Sequence, residues 1–289
     1  MVTQRDYSEE LVEAARSVLL ELMHLLGEYW EHIVLVGGWV PDILLNSKDN
    51  PHIGSIDVDL ALNHLKLRED GYKSIQGLLL GRGYIQGSQP FIFNRTVMSE
   101  GNEITVQVDL LSGEYQGTGK SHRHQKIQGG LARKTRGCDL VFDNFMVATI
   151  EGALPGGARD TVKVRVASMV PFLVMKGMAL DERLKEKDAW DIYYCLQNYP
   201  GGLEQLIGEF RPHLEHGLVK EGLEKIAKHF GSEKHVGPKF VADFEEITDP
   251  EEREIRERDA YERVRYFLEE LGIIGIEGNK FQSKIDVIR

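Results

Sequence analysis

The stretch Ser55-Ile56-Asp57-Val58-Asp59-Leu60 constrains this chain more than any other. Side chains alternate faces along a strand. Ile56, Val58 and Leu60 therefore share one face, and Asp57 and Asp59 share the other. The apolar face can pack on a core. The opposite face then carries two carboxylates about 7 Å apart, two rises of roughly 3.3 Å. Like charges held this close repel, and at least one pKa should rise unless a cation sits between them. Mg²⁺ suits such oxygen ligands, taking one or two carboxylates and filling its shell with water and substrate phosphates. Ile104–Leu110 repeats the pattern, with Ile104, Val106, Val108 and Leu110 on one face and Thr105, Gln107 and Asp109 on the other. If that strand neighbours residues 56–62, Asp109 joins the pair. Three acids around two metals about 3.5–4 Å apart form a clamp for in-line phosphoryl displacement. Taken alone, an Asp-x-Asp also fits the solvated face of an edge strand.

Upstream, His32–Val36 is short, apolar and β-branched, which predicts a buried strand. Gly37-Gly38 follows it, and Trp39–Leu45 opens a short helix. Glycine lets backbone approach a ligand closely, and amides between a strand and a helix N-terminus can hold phosphate. An ordinary strand-to-helix turn would use the same two residues. Residues 8–28 carry Leu11, Ala14, Ala15, Val18, Leu19 and Met23 at helical spacing, the mark of an amphipathic helix. A helix is expected over Leu67–Leu80. Strands are expected at Phe91–Val97 and Glu103–Leu111 around a Ser99–Asn102 turn, and at Leu140–Asp143, Met146–Glu151 and Val162–Val166.

The periodicity turns helical near Pro171, over 171–183, 187–199, 202–230 with interruptions, and 250–271. A mixed first half and a helical second half predict an α+β fold in two domains, 1–168 and 169–289. With 289 residues, 42% apolar and 28% charged, the chain has the composition of a soluble globular protein. Its two cysteines, Cys138 and Cys195, exclude a disulfide framework or a Cys-rich zinc site. The start MVTQRDYSEE lacks the pattern of a secretory signal, and no apolar run reaches the roughly 18 residues of a membrane span. A cytoplasmic protein with no membrane partner is expected. The net charge of -11 argues against non-specific coating of nucleic acid.

The order of these features (strand, Gly-Gly, helix, Ser-x-Asp-x-Asp-Leu, alternating strand with one Asp) resembles the nucleotidyltransferase fold shared with DNA polymerase beta. Within it, the chain is most similar to the abortive-infection (AbiEii-type) type IV toxin nucleotidyltransferases. The likeness covers roughly residues 30–200. The matching residues are Gly37 and Gly38, Asp57 and Asp59, Asp109, Lys176, and Asp188 with Asp191. The resemblance implies a catalytic domain with a mixed β-sheet flanked by helices, then a helical domain. It implies NTP and Mg²⁺ binding, or Mn²⁺ in its place, and transfer of a nucleotidyl group. Asp57, Asp59 and Asp109 would be catalytic and metal-binding. Gly37, Gly38, Ser55, Lys176, Asp188 and Asp191 would hold the nucleotide. Gly38 is followed by Trp39, where a small residue or Thr is more usual, and bulk there would narrow the nucleotide site.

Pro171–Arg183 can start a helix, since Pro suits a first turn. Lys176 lies in its apolar stretch, either as a snorkelling surface lysine or as a compact charge for a triphosphate. On the next helix Lys187 and Asp191 are i,i+4, and Asp188 and Asp191 are i,i+3, so both pairs can touch. They would staple the helix, or Asp191 would orient Lys176 or a loop of the first domain. Lys120–Arg136 carries Lys120, Arg123, Lys126, Arg133, Lys134 and Arg136 and no acid. Its glycines suggest a mobile connection. It is a solvated loop, or one that holds an RNA or nucleotide backbone near the acids. His122-x-His124 lacks the further ligands a zinc site needs. Asp243–Glu270, with twelve acids and five arginines, is a salt-bridged solvated helix or a surface for a basic partner.

The leading expectation is an Mg²⁺-dependent nucleotidyltransferase acting on an acceptor hydroxyl. With RNA or a tRNA end as acceptor, the resemblance implies a toxin with a cognate antitoxin. A small-molecule acceptor would make it similar to the antibiotic-modifying nucleotidyltransferases, and a protein acceptor is also open. The alternative is a non-catalytic NTP- or RNA-binding regulator that keeps the fold. A structural interaction module would leave the acids unexplained.

Overall fold

The computed structural model describes residues 1–45, 49–63, 66–67, 75–99, 101–113, 124–127 and 130–275, with backbone alone for 124–127, 130 and 131. The chain opens with α1 (Glu9–Leu25), which starts at Ser8, whose Oγ accepts the Leu11 amide. Glu9 and Glu10 in its first turn suit the positive end of the helix dipole. Then come β1 (Ile33–Val36), α2 (Trp39–Leu45), β2 (Asp57–Leu62), α3 (Ile75–Gly81), β3 (Ile85–Gln86), β4 (Ile92–Ser99) and β5 (Asn102–Ser112). A hairpin of β6 (His124–Ile127) and β7 (Gly130–Lys134) precedes β8 (Phe145–Ala153) and β9 (Arg159–Ala167). Helices follow: α4 (Met169–Arg183), α5 (Glu186–Asn198), α6 (Gly202–Phe210), α7 (Gly217–His229), α8 (Val236–Phe244) and α9 (Pro250–Glu270). The protein is thus α+β, a mixed sheet flanked by helices and followed by a helical C-terminal region.

The strands run β3-β4-β5-β2-β1-β9-β8, with β7 added beside β5 and β6 beside β7. β2 is parallel to β5, and β1 is parallel to β9. β1 and β2 are antiparallel. All four residues of β1 are buried, as its unbroken apolar run requires at the centre of a sheet covered on both faces. β5 alternates instead, with Ile104, Val106, Val108 and Leu110 buried. Helix α1 lies against β8, β9, β4 and β5. One connected apolar core joins α1, the sheet and helices α4 to α9. Among the described residues no helix is long and apolar enough to cross a membrane.

Three sequence expectations need correction. Leu140–Asp143 is not a strand: Cys138–Phe142 forms a 3-10 turn entered through Gly137 at φ 86°. An apolar run this short suits a turn as well as a strand. The Asn144 amide group donates to the Leu140 carbonyl at 3.1 Å and closes the turn. Leu67 sits in a turn and α3 begins only at Ile75, while residues 68–74 of the expected helix lie outside the described residues. The basic segment is not simply a loop, because residues 124–127 and 130–134 pair as an antiparallel hairpin.

Candidate active site

The parallel pairing of β2 with β5 sets the registers Asp57 to Gln107 and Asp59 to Asp109. The third acid therefore stands directly beside the second. Val36, the last residue of β1, pairs with Asp59 from the other side. The chain must turn there, and Gly37 does so at φ 74°. A Cβ on Gly37 would stand 2.0 Å from Asp59 Oδ2, so glycine is what lets the turn and the carboxylate share this space.

Asp57, Asp59 and Asp109 line one cleft, of about 150 Å³, with Gly37, Gly38 and Ser55. Asp57 is held twice. Ser55 Oγ donates to its Oδ1, and Trp39 Nε1 donates to its backbone carbonyl at 2.7 Å. Trp39 is fully buried and forms no part of the cleft wall. Its bulk does not narrow the site, contrary to expectation, because the side chain packs into the core. Burial, then the neighbouring charges of Asp57 and Asp109, push the Asp59 carboxyl well above the usual range. Burial also raises Asp109, against a hydrogen bond from Gln107 Nε2 at 3.0 Å and with the charge of Asp57 behind it.

The facing wall comes from α4 and α5. Lys176 is buried, with its ammonium 2.8 Å from Asp188 Oδ1 and 2.6 Å from Asp191 Oδ2. Burial works against that charge, but the two carboxylates more than offset it and raise the Lys176 pKa. Lys187 reaches Asp191 Oδ1 at 2.7 Å. Here burial wins, and the Lys187 pKa is lowered despite Asp191. Arg183 clasps Asp188 through Nε at 2.7 Å and a terminal nitrogen at 2.8 Å. Burial opposes ionisation of Asp188 and Asp191, yet these cations hold both below the usual carboxylate range.

His52 completes the cluster. Its Nδ1 accepts the Gly54 amide at 3.0 Å, so Nε2 carries the proton and donates to Asp191 at 3.0 Å. Burial, then the nearby Lys187, lower its pKa to about 4. Lys176, Lys187 and Asp188 reach the cleft wall, whereas Asp191 lies behind it.

Arg133 and Arg136 of the basic segment also line the cleft. The parallel pairing of β7 with β5 sets Arg133 opposite Leu111, two residues beyond Asp109. Arg136 is held by Glu221, the closest approach being 2.6 Å. Lys134 is not on the wall. Lys120, Arg123 and His122 lie outside the described residues, as does the side chain of Lys126. Sequence reasoning missed Arg183, Tyr7 and His52. Arg183 could have been found, since it stands seven residues after Lys176, two turns on along the same helix face. Tyr7 and His52 reach the site only through the tertiary fold and carry no local signal.

A divalent cation fits part of this donor set. Asp109 Oδ1 is buried with no hydrogen-bond partner among the described residues, and the repulsion on Asp59 is what a cation would relieve. The acids do not form a closed cage: among the described residues, no three His, Cys, Asp or Glu side chains are grouped to hold a metal. Mg²⁺ commonly draws much of its shell from water and substrate phosphates.

No family model matches the chain, and no curated protein does. Among solved structures it is similar to JHP933 from Helicobacter pylori, with a TM-score of 0.43 and 12% identity over 97% of this chain and 98% of that one. It is also similar to a candidate nucleotidyltransferase from H. pylori, with a TM-score of 0.39 and 14% identity over 89% of this chain and 96% of that one. Likenesses this distant carry no chemistry over to this chain.

Proposed function

We propose that this chain is a nucleotidyltransferase that moves a nucleoside monophosphate from an NTP to an acceptor hydroxyl, with Mg²⁺ or Mn²⁺ as cofactor. One observation carries the reading. Asp57, Asp59 and Asp109, from two paired strands, share a cleft with the cations Lys176, Lys187, Arg183 and Arg133. Acids on one side and phosphate-binding cations on the other are the two halves that transfer from a triphosphate requires.

The acceptor oxygen bonds to the α-phosphorus, the bond from that phosphorus to the bridging oxygen breaks, and pyrophosphate leaves. Asp109 takes the proton of the acceptor hydroxyl. Asp57 and Asp59 would hold the metal, and the chemistry it would supply there is a lower pKa for that hydroxyl and neutralised charge on the leaving group. Gly37, Gly38, Ser55 and the cations of α4 and α5 hold the phosphates, with Asp188 and Asp191 keeping those cations in place. In this reading residues 1–168 carry the chemistry, and α4 and α5 at the start of the helical domain close the phosphate side.

RNA is the acceptor we favour, because Arg133 and Arg136 stand beside the acids at the cleft. A toxin role with a cognate antitoxin rests on the family resemblance alone. The test is incubation with each α-labelled NTP, Mg²⁺ and total RNA. Label should enter one RNA class, and label entering no macromolecule or small acceptor would remove the reading. The alternative, a non-catalytic NTP-binding regulator, would bind NTP without releasing pyrophosphate in the same assay.

A further inference from the structure

Residues 2–8 run ahead of α1 and cross from the sheet to the helical region. The Val2 amide donates to Glu186 Oε2, at the start of α5, at 3.0 Å. Arg5 Nε stands 3.0 Å from Glu246 Oε2, just past α8. Between these anchors the Thr3 amide donates to Asp6 at 2.8 Å and closes a 3-10 turn over Gln4–Asp6. Tyr7 follows, and Ser8 then starts α1, which packs on the sheet. The segment is a strap held at both ends, and Tyr7 is the residue it turns inward.

Tyr7 is 7% exposed and lines the cleft. Its ring meets Phe244 of α8 edge-on at 5.8 Å and lies 5.2 Å from the Lys187 ammonium. The ring is thus used in packing. The hydroxyl is not used, since among the described residues it makes no hydrogen bond. Burial, then the charges of Asp191 and Asp57, push the phenol up, with Lys176 opposing and Asp188 adding to the rise. The hydroxyl therefore keeps its proton, and it faces Asp57 from one half of the cleft and Lys176 from the other. The carboxylates around it are taken. Asp57 receives Ser55, Asp188 receives Lys176 and Arg183, and Asp191 receives Lys176, Lys187 and His52. A polar group this deeply set ordinarily has a partner, and the protein supplies none.

We infer that Tyr7 is a substrate-contacting residue whose hydroxyl donates to a phosphate oxygen of the bound NTP, and that residues 2–8 are the strap that carries it to the cleft. The choice of ligand rests on the nucleotidyltransferase reading: a triphosphate lying between Asp57 and Lys176 passes the hydroxyl and brings the acceptor it lacks. The free donor rests on geometry.

Calorimetric titration of the full chain with ATP, GTP, CTP, UTP and inorganic tripolyphosphate, in excess Mg²⁺, tests this. Tyr7→Phe keeps the ring on Phe244 and Lys187 and removes the hydroxyl alone. Tyr7→Leu removes both. The Phe variant should melt with the wild type and bind the preferred NTP about tenfold more weakly, the loss of one hydrogen bond to a charged group. Tripolyphosphate should lose affinity by the same factor. The Leu variant should lose at least as much and melt lower. Wild-type affinity in the Phe variant would make Tyr7 a packing ring and overturn the inference. A Phe loss confined to the nucleotides would put the hydroxyl on the nucleoside and overturn it too, as would no binding by the wild type. Pyrophosphate release keeps the two ideas apart. Release by the wild type with unimpaired affinity in the Phe variant sinks the Tyr7 contact alone. NTP binding that depends on the hydroxyl, in a chain that releases no pyrophosphate, sinks the enzymatic reading alone.

Discussion

Gly37 and Asp59 are bound to each other by space. At φ 74° and with Asp59 Oδ2 where its Cβ would be, Gly37→Ala should cost about 1–3 kcal/mol from backbone strain and displace the carboxylate. Chemical denaturation and an activity assay would check both effects. Asp59 itself makes a pH prediction. Its carboxyl is raised by burial and by Asp57 and Asp109, so the folded chain prefers it protonated. Its contribution to stability is complete below the ordinary carboxylate pKa and is lost as pH rises through the raised one. Without metal, Asp59→Asn should therefore gain on the wild type in melting temperature as pH climbs out of the acid range. A pH-independent difference would count against the crowding of acids. The strand alternation alone made Asp57, Asp59 and Asp109 legible, because a period of two assigns faces without tertiary knowledge. It could not show His52 or Tyr7, which meet α5 from far away in sequence.

Helices α4 and α7 touch backbone to backbone. A Cβ on Gly177 would stand 2.3 Å from the Gly222 carbonyl oxygen, and one on Gly222 would stand 2.8 Å from Val174 Cγ1. Gly177 follows Lys176, so this crossing helps fix how α4 presents Lys176 and Arg183 to the cleft. Gly177→Ala should force the helices apart at about 1–3 kcal/mol, the usual range for overpacking, with a lower melting temperature. Unchanged stability would mean the crossing is looser than the geometry states. Elements with long periodic patterns, such as α4, α5 and α9, were readable. Those that depend on partners were not. β7 forms because β5 offers it an edge, and Leu140–Phe142 turns because Gly137 and Asn144 frame it.

The whole chain is acidic, at -11, yet much of its most acidic stretch answers to itself. Arg253 pairs with Asp243 and Glu257, Arg256 with Glu245, Arg263 with Asp259 and Arg265 with Glu269, at 2.7–2.9 Å. This favours the solvated, salt-bridged helix over a docking surface. The cations at the cleft are the local reversal. If RNA is the acceptor, Arg133→Gln with Arg136→Gln should weaken its binding and reduce the slope of log affinity against log salt by about one to two, read by titration at several salt concentrations. An unchanged slope would leave those arginines to their pairings with Glu182 and Glu221. Pyrophosphate release in the presence of NTP, Mg²⁺ and acceptor, measured for the wild type beside Asp57→Asn, Asp59→Asn and Asp109→Asn, tests the account at its centre. The wild type should turn over, and each variant should slow at least about a hundredfold, roughly 2.7 kcal/mol of barrier at 1.36 per decade, while staying folded. Release undiminished in folded variants would contradict it.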